Sequence, residues 1–204
     1  MTGKVPAAVL VSGGGTNLQA LIDRAAAGEM PHVALKLVIS SNPDAYALTR
    51  AEKAGIPRAV VARRGRTQEE FEREMISLLD EHGIRMIVLA GFMSILSADF
   101  TRRYENAVLN VHPSLIPAFC GRGYYGLKVH EAALARGVKI TGATVHLVNE
   151  IPDGGPILAQ KAVEVLPGDT PETLQKRVMR EAEWILLPRC CESTAARLLD
   201  GAAD

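Results

Sequence analysis

Asn110 and His112 stand two residues apart at the end of an apolar run, Ala107-Val108-Leu109, and run into Pro113-Ser114-Leu115-Ile116-Pro117. On a strand, residues two apart point to the same face. The amide and the imidazole therefore share one surface where the strand leaves its sheet. An amide N–H and a ring that titrates near neutrality can together grip an oxygen on which negative charge develops. The two prolines constrain the backbone that follows, as a preorganised site requires. Taken alone, Asn-x-His at a strand end also serves as an ordinary cap or turn.

Two other stretches carry residues of this kind. Ser12-Gly13-Gly14-Gly15-Thr16-Asn17 lies between an apolar strand, Val5 to Val11, and a helical pattern from Leu18 to Ile22. Strand, glycine turn and helix together aim backbone N–H groups at an anion. Leu18 replaces the last glycine of a dinucleotide fingerprint and no Walker lysine is present, so a single phosphate fits better than NAD or ATP. A turn that needs glycine dihedrals would look the same. Asp153 sits in Ile151-Pro152-Asp153-Gly154-Gly155-Pro156, a loop stiffened by proline and free to turn at glycine.

The intervening elements have to bring these stretches together. Leu35 to Ser40, Ala59 to Val61, Ile84 to Leu89, Thr141 to Val148 and Ile157 to Val165 read as strands. Helices are expected over Ala45–Ala54, Gln68 to about His82, Gly126–Arg136 and Thr170 to about Leu187. Thr67 and Glu70 form a capping box, Ser97 caps a short helix, and Gly201 to Asp204 reads as a frayed tail. Alternation of strand and helix predicts an α/β fold: an open, mostly parallel twisted sheet with helices on both faces. In such sheets sites lie beyond the carboxyl ends of the strands, where the glycine turn, the loop after Leu89 and the Asn110–His112 segment all fall. Ala90 to Leu96 is unusually apolar for a loop and suits a flat ligand. His146 reads as a satisfied sheet histidine. His130-Glu131 begins a zinc-protease pattern that Leu134 leaves incomplete.

Composition sets the outer bounds. The chain has 204 residues, 48% of them hydrophobic, and 23 basic residues against 23 acidic. One domain over 1–204 is expected, with no global field to attract nucleic acid. Cys120, Cys190 and Cys191 imply neither a disulfide framework nor a paired zinc site, and point to a reducing cytoplasm. No signal peptide or membrane span is expected.

Together these motifs resemble the phosphoribosylglycinamide formyltransferases (glycinamide ribonucleotide transformylases) of purine synthesis, over about Val9 to Pro188. Ser-Gly-x-Gly-Thr-Asn-Leu-Gln, Leu-Ala-Gly-Phe-Met, Asn-x-His-Pro-Ser-Leu-Ile-Pro and Asp-Gly-Gly-Pro occur in that family's order. The resemblance implies a Rossmann-like formyltransferase fold, 10-formyltetrahydrofolate as co-substrate and 5-phosphoribosylglycinamide as acceptor. It implies no metal, no nucleic acid or membrane partner, and a monomer or homodimer. It assigns catalysis to Asn110, His112 and Asp153, the acceptor phosphate to Gly15, Thr16 and Asn17, and the acceptor amine to Glu183. Met93, Ser94, Ile95, Leu96 and Asn110 would line the folate site. Many relatives have Arg where Ser94 stands and a basic residue near Gln68, so Arg66 or Gln68 is the expected folate-side contact.

The same resemblance frames the alternatives. A methionyl-tRNA formyltransferase would need a further C-terminal domain and a basic surface. A formyltetrahydrofolate hydrolase normally carries an N-terminal regulatory domain, for which no room is expected ahead of Val5. A non-catalytic phosphate-ligand sensor would have no use for a paired oxyanion donor.

Overall fold

The computed structural model describes residues 3–201. Its sheet is built from β1 (Val5–Val11), β2 (Val33–Ser40), β3 (Arg58–Val60), β4 (Met86–Leu89), β5 (Val108–His112), β6 (Ile140–Leu147) and β7 (Ile157–Glu164). The spatial order is β3-β2-β1-β4-β5-β6-β7. The first five strands pair in parallel and β6 and β7 pair antiparallel. The order reverses between β1 and β4, which opens a crevice at their carboxyl ends.

Both faces of the sheet are covered, so β1 reads as an unbroken apolar run. Val5, Ala7, Val9 and Val11 face a cluster with Leu18 and Leu21 of α1 (Thr16–Ala26) and with Leu187 and Cys191. Ala8 and Leu10 face the other way, onto Phe71, Met75 and Leu79 of α3 (Gln68–Glu81) and onto Phe100. Alternate side chains of one strand thus seed two cores. The remaining early helices are α2 (Tyr46–Lys53), α4 (Ala98–Arg103) and α5 (Leu127–Arg136).

Local capping follows the sequence. The Thr67 hydroxyl accepts from Glu70 N at 3.2 Å, and the Glu70 carboxylate accepts from Thr67 N at 3.0 Å. The Ser97 hydroxyl accepts from Phe100 N at 3.1 Å.

The C-terminal segment departs from expectation. The helix expected to stop near Leu187 instead comprises α6 (Pro171–Val178), a π-helical turn (Met179–Glu183) and α7 (Trp184–Asp200), with Pro188 inside α7. Proline removes a backbone donor and normally stops a helix. Here it falls just past a π-turn, where the bonding pattern has already changed. Leu186, Leu187, Cys190, Cys191 and Ala195 continue a buried face against the sheet. Of the tail expected to fray, Gly201 is an exposed turn and 202–204 lie outside the described residues. Among the described residues, no helix is long and apolar enough to cross a membrane.

Candidate active site

β5 ends on His112, which is buried, while Asn110 is half-buried. Antiparallel pairing sets Asn110 opposite His146 and His112 opposite Thr144. The Thr144 hydroxyl donates to Ser114 O at 2.7 Å and accepts from Ile116 N at 3.1 Å. The proline segment is therefore pinned to β6 as well as stiffened by its rings. The Ile116–Pro117 peptide is cis.

Asp153 lies at the centre of the cluster. Its Oδ2 is 3.6 Å from His112 Nδ1 and accepts from Gly121 N at 2.8 Å. Its Oδ1 is 3.5 Å from His146 Nε2 and 3.4 Å from Asn110 Nδ2. Asp153 has a φ of 56°, in the left-handed region where Asp is tolerated better than most residues. Burial acts to raise its carboxyl. The His146 ring, the His112 ring and the Gly121 N–H act against burial and prevail, holding Asp153 below the ordinary carboxylate value. Asp153 is therefore an anion at neutral pH.

The ring contacts define donors and acceptors. His146 Nδ1 faces Leu147 O at 2.8 Å, and its Nε2 lies 3.1 Å from Asn110 Nδ2 and 3.5 Å from Asp153 Oδ1. His146 thereby orients the amide. His112 Nε2 donates to Phe119 O at 2.8 Å while its Nδ1 faces the Asp153 carboxylate. Both nitrogens of His112 thus face acceptors. His130 of α5 is also buried, and among the described residues neither ring nitrogen has a hydrogen-bond partner. Burial and the nearby His112 push it down to about 4, so it is neutral.

Asn110, His112 and Asp153 line a groove of about 510 Å³ between Gly91–Ile95 and Gly121–Gly126. A smaller cleft of about 120 Å³ opens beside it, between Leu89–Leu96 and His146–Asp153. Ser94 lines both, and Met93 and Ile95 are 53% and 58% exposed. Leu96 is buried at the base of the smaller cleft. Phe92 stacks on Phe71 and ties the loop to the core.

Two expected contacts go elsewhere. Gln68 Nε2 donates to Glu72 Oε1 at 2.6 Å and to Ile95 O at 3.0 Å, so it props the loop from below. Arg66 forms an ion pair with Glu74, and its carbonyl accepts from Arg63. Neither Arg66 nor Gln68 lines the groove. Helical spacing of four residues supplies Gln68 with its Glu72 partner.

The glycine turn forms a second cluster. Gly15 caps α1 with a φ of 71°, and a Cβ there would meet Ala47 Cβ at 2.6 Å. Gly13 O accepts from Ala47 N at 3.1 Å, and Gly14 O accepts from Arg50 Nε at 2.8 Å. With those carbonyls tied to α2, the free N–H groups at the start of α1 face outward. Replacement of Gly15 by Ala is expected to destabilise the protein by about 1–3 kcal/mol, read from chemical denaturation. An unchanged midpoint would mean that α2 yields easily.

Thr16 points its hydroxyl at Met179 Sδ, 3.9 Å away, and Asn17 Nδ2 donates to Glu183 Oε2 at 2.6 Å. Asn17 and Glu183 are both buried, and Asn17 Oδ1 has no hydrogen-bond partner among the described residues. The π-turn thus sets Glu183 against the first turn of α1. Burial pushes Glu183 up to about 7, with the Asn17 bond acting in the opposite direction. Its protonated form is favoured more in the folded chain than in the unfolded one. The stability from this group is full below about 4.5 and is lost as pH rises through about 7. Glu183→Gln removes this dependence. Relative to that variant, wild-type stability is expected to fall by on the order of 3 kcal/mol across the window. Parallel unfolding curves at all pH values would contradict it.

The two clusters do not share one cavity. Thr16 lines a separate cleft of about 570 Å³ with Gln19, Arg50 and Trp184. They are linked through Ser12, whose hydroxyl accepts from Met93 N at 2.9 Å. Among the described residues, no group of three or more His, Cys, Asp or Glu is placed to hold a metal.

Residues 5–190 match the formyl transferase family, and the chain belongs to it. Phosphoribosylglycinamide formyltransferase of Haemophilus influenzae is 41% identical over 182 residues, covering 89% of this chain and 82% of that one. The trifunctional purine biosynthetic protein adenosine-3 of Gallus gallus is 41% identical over 196 residues, covering 96% of this chain; the chain spans 19% of that relative's length. The crystal structure of glycinamide ribonucleotide transformylase 1 from Symbiobacterium toebii superposes with a TM-score of 0.88 at 37% identity, covering 95% of this chain and 89% of that one.

Proposed function

We propose that the chain, as one formyl transferase domain over residues 1–204, transfers the formyl group of 10-formyltetrahydrofolate to the amine of 5-phosphoribosylglycinamide, a step of purine synthesis in the cytoplasm. Family membership and the relatives named for this reaction support the reading. The observation that carries it is the convergence of Asn110 and His112 on Asp153 at one end of the groove.

The chemistry follows from those groups. The neutral acceptor amine attacks the formyl carbon, and negative charge gathers on the formyl oxygen. Asn110 Nδ2 and His112 donate to that oxygen. The oxygen takes the place of the Phe119 carbonyl as acceptor for His112 Nε2. Asp153 stabilises the positive imidazole from its Nδ1 side. It also relays the proton lost by the amine toward the departing folate nitrogen, through water. His146 keeps the Asn110 amide facing the reacting centre.

The substrates divide between the two clusters. The N–H groups at Gly15, Thr16 and Asn17 receive the acceptor phosphate, and Glu183, which is buried against Asn17 and does not line the groove where the amine attacks, braces that turn rather than receiving the amine. Met93, Ser94, Ile95 and Leu96 wall the donor site. Its apolar sides and its backbone polar groups suit a flat heterocycle with amide-like edges.

The test is formyl transfer assayed side by side with 5-phosphoribosylglycinamide, methionyl-tRNA and water as acceptors. Turnover confined to the first supports the reading. Formate release without an acceptor would make the chain a hydrolase, and binding without turnover a sensor.

A further inference from the structure

Resting on the formyl-transfer reading, we propose that Arg122 is a specificity-determining residue that holds the glutamyl carboxylates of the folate donor's tail. Arg122 is the one lysine or arginine among the residues lining the groove above Asn110, His112 and Asp153. It is exposed and, among the described residues, makes no hydrogen bond or ion pair. Its backbone is nonetheless fixed relative to the reacting centre, because Gly121 N donates to Asp153 Oδ2 at 2.8 Å. Gly121 and Gly123, with φ of 84° and 93°, turn the chain on either side of it.

The other cations nearby are engaged or lie outside the groove. Arg63 donates to Arg66 O and lies over the Phe71 ring, and Arg66 pairs with Glu74. Lys128 bonds the Tyr125 hydroxyl at 3.0 Å and sits over its ring. Arg64 does not line the groove.

The surroundings select the ligand. Met93 and Ile95 on one wall and Tyr124 and Tyr125 on the other are exposed apolar surfaces. Such walls suit the aminobenzoyl ring of a folate, and a carboxylate carried beyond that ring needs a cation at the mouth. A guanidinium meets a carboxylate through two parallel hydrogen bonds. An acceptor phosphate is the competing anion, but none of Gly13 to Asn17 lines this groove.

The experiment compares the full chain with Arg122→Ala and Arg122→Lys, using donors that carry one glutamate, three glutamates or none. For glutamylated donors, Arg122→Ala should raise the donor KM about tenfold, with kcat and the acceptor KM little changed. Arg122→Lys should recover part of the loss. With the donor that lacks glutamate, wild type and Arg122→Ala should coincide. Arg64→Ala serves as a control for general surface charge and should match wild type. The proposal is overturned by an unchanged donor KM, by a rise in the acceptor KM instead, or by an equal effect of Arg64→Ala. Failure of the underlying reading is distinct, since wild type would then transfer formyl from none of the donors.

Discussion

Asp153→Asn should leave the fold intact and lower formyl transfer about 1,000-fold. The exchange is isosteric, and the asparagine oxygen can still accept from Gly121 N, as Asp153 Oδ2 does at 2.8 Å. What disappears is the anion between the rings of His112 and His146. The His112 ring loses the carboxylate that faces its Nδ1, and the amine proton loses its proposed relay. Because the native carboxyl lies below its ordinary value, Asp153 contributes stability that is present above that value and is lost as pH falls through the depressed one. At neutral pH the wild type holds this contribution in full, so the variant should be slightly less stable there and converge with wild type in acid. Near-normal turnover with an unchanged melting temperature would remove Asp153 from the mechanism.

His112→Ala carries the second large effect, a fall in kcat of about 100- to 1,000-fold. His112 is buried, with Nε2 on Phe119 O and Nδ1 facing Asp153. Its donor strengthens as charge develops on the substrate oxygen, whereas the ground-state carbonyl draws on it weakly. The loss should therefore fall equally on kcat and kcat/KM, the mark of an interaction made in the transition state. A loss confined to KM would assign His112 to ground-state binding. A His112→Asn variant keeps a neutral donor at the position, and its turnover should lie between the two.

Legibility in the sequence tracked how local the cause was. The β1 run, the glycine turn and the Thr67–Glu70 capping box depend on neighbours a few residues away, and the structure reproduces them. The strand-end Asn110 and His112 were visible for the same reason. The orienting role of His146 was not, because it follows from antiparallel pairing of β5 with β6 across 36 residues. The Thr144 to His146 alternation was the available signal, but alternation does not say which strand lies opposite. Gln68 was legible in principle, since Glu72 stands four residues on and pairs with it. The helix expected to end near Leu187 runs on because Leu187, Cys190, Cys191 and Ala195 continue its buried apolar face past Pro188. Glu183 could be matched to a family position, but its burial against Asn17 depends on the π-turn, which has no clear sequence signature.

The account stands on three side chains acting at one reacting carbon. It is tested most directly by a crystal structure of the full chain with 5-phosphoribosylglycinamide and a non-transferable donor analogue in which carbon replaces the folate N10. The carbonyl oxygen of the analogue should lie about 3 Å from both Asn110 Nδ2 and a His112 ring nitrogen, with Asp153 behind the ring and the acceptor amine on the open side of the carbon. A carbonyl held away from Asn110 and His112, with the amine unable to reach it, would contradict the account.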